Sequence, residues 1–217
     1  MKRKTLACLL CSVLAIGMLS LAGCGSSSGS SDQDAISKDL TTQLDSFKSS
    51  GSQVIGEQLK ANDSALSTLG INSDDFAKEM LDGFSYSIGT IKVDSKANSA
   101  TAEVTITSKT IYSALTALVT NLPTAVTNMS ADDLSTDENI NKFVGKQLTE
   151  AVKSAGTEET TITLTYSKSG DTWKMDDLET QVYKALGLDT ISLDSIYSML
   201  GVNNASELES LVNQYLK

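Results

Sequence analysis

The chain has 217 residues and a formal net charge of -10, from 27 acidic and 17 basic side chains, and it contains no histidine. The acidic balance argues against nucleic acid and against simple adsorption to anionic lipid, because both need clustered Lys and Arg. The missing imidazole removes the commonest general base and metal ligand, and with it serine triads and zinc sites of the usual kind.

Met1-Lys2-Arg3-Lys4 is a positive cluster, and Thr5 to Ala22 is an uncharged run rich in Leu and Ala. A basic start followed by an apolar stretch reads as an export leader whose positive end stays in the cytoplasm. The run closes on Leu21-Ala22-Gly23-Cys24, which resembles the lipobox of bacterial lipoproteins. The resemblance implies cleavage between Gly23 and Cys24, a diacylglyceryl group on the Cys24 thiol, and a mature chain on the outer face of a membrane. Two or more acyl chains, at about 0.8 kcal/mol per buried CH₂, make such an anchor stable. Cys8 and Cys11 lie in the leader and no cysteine follows Cys24, so the mature chain is expected to hold no disulfide, thiol nucleophile or thiolate metal site. Removing residues 1–23 takes away three basic residues and no acidic one, leaving 14 positive against 27 negative, a net of -13.

Gly25 to Asp34 reads GSSSGSSDQD and offers nothing to bury, so residues 24–34 are predicted to be the lipidated cysteine and a flexible tether. Ten such residues span about 17 Å on average. Beyond them, Ile36, Leu40, Leu44 and Phe47 fall on one helical face, with Gly51-Ser52 as the expected stop. A second helix takes Val54, Ile55, Leu59, Leu66 and Leu69, and a third, capped by Ser73, takes Phe76, Met80 and Leu81.

The period then drops to two. Phe84, Tyr86 and Ile88 alternate, the phase slips after Gly89-Thr90 to Ile91 and Val93, and Ala100, Ala102, Val104 and Ile106 alternate with Thr101, Glu103, Thr105 and Thr107. This predicts an antiparallel hairpin with a bulge in its first strand and one buried face. Helical spacing returns through Ile111, Ala114, Leu115, Leu118, Val119 and Leu122, with Pro123 as the expected stop, and again from a cap at Ser130 and Asp133 through Ile140, Phe143, Val144, Leu148 and Val152. A second hairpin follows, with Ile162, Leu164 and Tyr166 before Gly170 and Trp173 and Met175 after it. The order predicts an α+β domain over residues 35–177, with helices on one face of a curved antiparallel sheet. Residues 178–217 read as a helical extension packed on the same domain. Leu69-Gly70-Ile71-Asn72, Leu186-Gly187-Leu188-Asp189 and Leu200-Gly201-Val202-Asn203 each read as a helix stop on a left-handed glycine.

Residues 35–177 are similar to lipoproteins of Gram-positive bacteria with a nuclear transport factor two-like, or cystatin-like, domain. The similarity rests on the Tyr86-x-Ile88 strand with Ile91-Lys92-Val93-Asp94, its partner Ala100 to Ile106, and Ser169-Gly170-Asp171-Thr172-Trp173-Lys174-Met175. It implies a cone-shaped sheet with a concave, helix-backed pocket and no single activity.

Three Asp-Asp pairs offer acid-base chemistry: Asp74-Asp75, Asp132-Asp133 and Asp176-Asp177. The first two are expected in first helical turns, where carboxylates complement the dipole. Asp176-Asp177 ends a strand at the expected mouth of the cone and is the least easily assigned to a helix start. Asp132, Asp133, Asp137 and Glu138 lack the alternating spacing of a calcium loop, and no phosphate-binding glycine loop is present. Trp173 is expected in the core. No catalytic, cofactor or metal residue is therefore assigned. The expected role is a non-catalytic binding or interaction module for a small molecule, peptide or envelope protein. An uptake receptor and a carboxylate enzyme are the alternatives.

Overall fold

A computed structural model describes residues 28–62, 65–127 and 136–215. The leader, Gly23 and Cys24 lie outside these residues, as do Ser130, Asp132 and Asp133.

Helix α1 (Ser28–Asn62) opens the described chain and buries Ile36, Leu40, Leu44, Phe47, Ile55 and Leu59. It corrects two expectations. The polar stretch predicted to be tether through Asp34 is helical from Ser28, because Asp32 and Gln33 find partners on the sheet. Gly51-Ser52 does not stop the helix. A Cβ at Gly51 would come within 2.7 Å of the Phe47 ring one turn earlier, so this glycine makes room for a ring that packs on Phe84 with centroids 5.4 Å apart.

After the short α2 (Ala65–Thr68), Gly70 adopts φ +68° and the Ile71 amide reaches back to the Leu66 carbonyl at 2.8 Å. That is the helix stop read from the sequence. Asn72, not Ser73, caps α3 (Ser73–Met80): its side-chain oxygen accepts the amides of Asp74 and Asp75. The stop recurs at Gly201, where the Val202 amide bonds the Tyr197 carbonyl, and in looser form at Gly187.

The sheet is antiparallel, curved and unclosed, in the order β1 (Ser85–Asp94), β2 (Ser99–Ser108), β3 (Glu158–Ser169), β4 (Thr172–Met175). Ile88 pairs with Val104 and Ile91 with Ala102, so Gly89 and Thr90 together oppose Glu103 as the predicted bulge. Between β2 and β3 run α4 (Ile111–Val126) and α5 (Asp137–Ser154). Pro123 lies inside α4 rather than ending it. Val119, expected on the apolar stripe, is exposed together with Pro123 one turn on, so the carbonyl that loses its amide partner is on the solvent side, where water can satisfy it.

The covered face of the sheet consists of Ala100, Ala102, Val104, Ile106, Ile162, Leu164, Tyr166 and Trp173, all buried. Helices α1 and α6 (Leu178–Ala185) pack against it. A 3₁₀ turn (Leu188–Thr190), α7 (Leu193–Met199) and α8 (Ala205–Tyr215) complete the described chain. Their buried residues, among them Leu188, Ile196, Leu200, Leu208 and Val212, belong to the same core as the sheet.

Candidate functional site

Three acids along α1 tie it to the sheet. Asp32 accepts the Lys168 ammonium at 2.8 Å and the Trp173 indole N–H at 3.1 Å, while the Lys168 Nζ stands 5.2 Å from the centre of the Trp173 ring. Two helical turns on, Asp39 accepts the Tyr166 hydroxyl at 3.2 Å, and Asp45 accepts that of Tyr86 at 2.7 Å. The bonds from Lys168 and then Trp173 hold the Asp32 carboxyl below its usual range. Burial, with the nearby Asp39 charge, pushes the Tyr166 phenol well up. Asp32 is thereby kept charged as an acceptor, and the Tyr166 hydroxyl is kept protonated as a donor. Trp173 is buried, as expected from the sequence. Asp32 was missed because it sits in a Gly/Ser stretch, yet the signal was present: Ile36, Leu40 and Leu44 step by four, and one step back along that stripe is Asp32.

The opposite face of the sheet is open and built from hydroxyls. Thr101 pairs with Thr165, Thr105 with Thr161, Thr107 with Glu159, and Glu103 with Thr163. Thr161, Thr163 and Thr165 are exposed, and their partners on β2 are half-buried. Cross-strand neighbours of this kind repeat at about 4.8 Å, and alternate residues along a strand at about 6.8 Å. The result is a regular grid of donors and acceptors. Thr105 and Thr161 already share a bond of 3.1 Å. The helix-backed face, where the resemblance implies a pocket, is occupied by the core residues named above.

The acid pairs take structural positions. Asp177 has φ +41° and caps α6 by accepting the Thr180 amide at 3.2 Å; Asp176 accepts the Thr165 hydroxyl at 3.2 Å, and both are exposed. Asp74 pairs with Lys60, and the Asp75 amide is held by Asn72. Asp137 and Glu138 lie in the first turn of α5, where Asp137 accepts the Ser206 hydroxyl and Glu138 pairs with Lys142. Asp132 and Asp133 are outside the described residues. The sequence did not single out Glu179, in the first turn of α6, whose carboxyl is raised by burial and then by the charges of Asp177 and Glu57.

A shallow polar depression of about 340 Å³ lies between α1 and the start of α3, lined by Ser52, Gln53, Glu57, Lys60 and Asp74. It lies further along α1 than the acids that bond the aromatic side chains. Among the described residues, no group of three carboxylates gathers closely enough to hold a metal ion, and no helix is long and apolar enough to cross a membrane. Comparison with protein-family models, with characterised proteins and with solved structures finds no match to the chain.

Proposed function

We propose that the chain is a membrane-anchored extracytoplasmic lipoprotein, cut between Gly23 and Cys24 and lipidated on Cys24, whose folded part binds rather than catalyses. The anchor is supported by the Leu21-Ala22-Gly23-Cys24 ending of a basic and then apolar leader. The observation that carries the binding role is the open hydroxyl face of β2 and β3, with Thr161, Thr163 and Thr165 exposed side by side. Such a face presents many weak donors and acceptors at fixed spacing, which suits an extended polar ligand or an envelope protein. Asp176 and Asp177, the best catalytic candidates in the sequence, are engaged by Thr165 and by the Thr180 amide. The single core of the described residues also favours this role over an uptake receptor, which needs two lobes that close on a hinge.

Replacing Cys24 by Ala should abolish incorporation of labelled fatty acid, and a mutant that still took up label would sink the anchor. For the binding role, Thr105→Arg combined with Thr163→Arg should remove partners cross-linked in intact cells while leaving the melting temperature within a few degrees. Unchanged cross-links would move binding away from this face. One observation favours a catalytic alternative: Glu179 is a carboxyl raised by burial, as a general acid would be. Turnover in an esterase, glycosidase and peptidase screen that Glu179→Gln removes without unfolding the protein would replace the binding role.

A further inference from the structure

We infer that one end of the sheet, made by the β1–β2 turn and the β3–β4 turn, is the surface of the domain held against the lipid bilayer. This rests on the lipid anchor at Cys24. Four peptide links separate Cys24 from Ser28, the first described residue of α1, and four links reach at most about 14 Å when fully extended. A domain of about 180 residues has a radius of gyration near 16 Å, so a leash this short holds the attached side of the domain to the membrane.

The bonds of α1 identify that side. Asp32 is fixed to Lys168 and Trp173, which pair with each other one step from the β3–β4 turn. Gln33 donates to the Ile91 carbonyl at 2.9 Å, and the Lys168 amide bonds the Asn98 carbonyl in the β1–β2 turn at 2.8 Å. The start of α1 and both hairpin turns are thus one rigid unit. Lys92, Lys96 and Lys174 are exposed there beside Asp34, Asp94 and Asp171. Charges at this end therefore balance, whereas 27 acids face 17 bases in the whole chain. The end carries no excess negative charge to be repelled by lipid phosphates. β3 then rises from the bilayer over its 12 residues, on the order of 35 Å, and the hydroxyl face stands upright, accessible from the side.

No cysteine follows Cys24, so one introduced thiol on the purified, acylated protein is a unique label. Single variants Lys96→Cys, Asp171→Cys and Thr157→Cys, the last just before β3, would carry a fluorophore in phosphatidylcholine vesicles containing a lipid with a quencher on its headgroup. Labels at positions 96 and 171 should be quenched at least threefold more than the label at 157. Inserting ten Gly/Ser residues after Cys24 should shrink that ratio towards one. Equal quenching at both ends in protein that floats with the vesicles would overturn the orientation but leave the anchor standing. Acylated protein that does not float would overturn both.

Discussion

Asp32 and Trp173 are 141 positions apart, and neither has its role without the other. The indole N–H would be a buried donor lacking an acceptor if Asp32 were not there, and Lys168 would lose its counter-charge. Trp173→Ala should cost about 3 to 5 kcal/mol in denaturant melts, the usual loss for a large buried aromatic. Asp32→Asn keeps the shape but loses the charge, and should cost about 1 to 2 kcal/mol at pH 7 for a charge-assisted bond that is partly exposed. Because Lys168 and Trp173 hold the folded-state carboxyl below its ordinary range, the unfolded chain binds the proton more readily. The charged pair therefore stabilises the fold fully above the unfolded pKa, and that stability is lost as pH falls through the folded one. Melts of the parent and Asp32→Asn should differ at pH 7 and converge in acid. A constant gap would exclude ionisation of Asp32 as the cause.

At the scale of elements, helix packing here depends on bare backbone. Gly145 in α5 lies against the Leu69 carbonyl so closely that any Cβ would overlap it. Gly145→Ala should therefore destabilise by about 1 to 3 kcal/mol through overpacking, although alanine is worth about 1 kcal/mol more than glycine in a free helix. A more stable variant in urea unfolding would show that α5 can shift away from α2 without loss. Elements with a strict period were legible in the sequence: the alternation of Ala100 to Ile106, the slip at Gly89-Thr90 and the glycine stops at 70, 187 and 201 all depend on local stereochemistry. The sequence misled where a residue's local preference was overridden by a distant contact. Gly51 looks like a stop until the Phe47 ring is placed, Pro123 looks like one until its solvent exposure is known, and Asp32 looks like tether until Lys168 and Trp173 come within reach. The open hydroxyl face was legible as the threonines that alternate with Ala100, Ala102, Val104 and Ile106, the side expected to be buried.

For the whole molecule, residues 178–215 are part of the core rather than an appendage. Val182, Leu186, Ile196, Leu208 and Val212 are buried with the sheet, and the Leu186 carbonyl accepts the amide of Ile111 at the start of α4. A chain ending at Asp177 should lose its cooperative thermal transition by circular dichroism, since it exposes much of one continuous apolar cluster. A retained sharp transition would make 35–177 an autonomous domain after all. By the same logic, a soluble fragment should start at Ser28 rather than Ala35, so that Asp32 and Gln33 keep their bonds.

The bulge in β1 also affects how copies of the protein behave beside one another. Confinement to a membrane plane raises local concentration, and a sheet that does not close has two free margins on which a neighbour's backbone could template. Here one margin is kinked by Gly89 and Thr90 and carries Lys92; the other is shared by β4, four residues long and carrying Lys174, and the earlier part of β3 that β4 does not pair, a strand on which α6 packs. Short, kinked and lysine-bearing margins resist strand addition, so copies brought together by the proposed anchor would find β1 and β4 poor templates for one another.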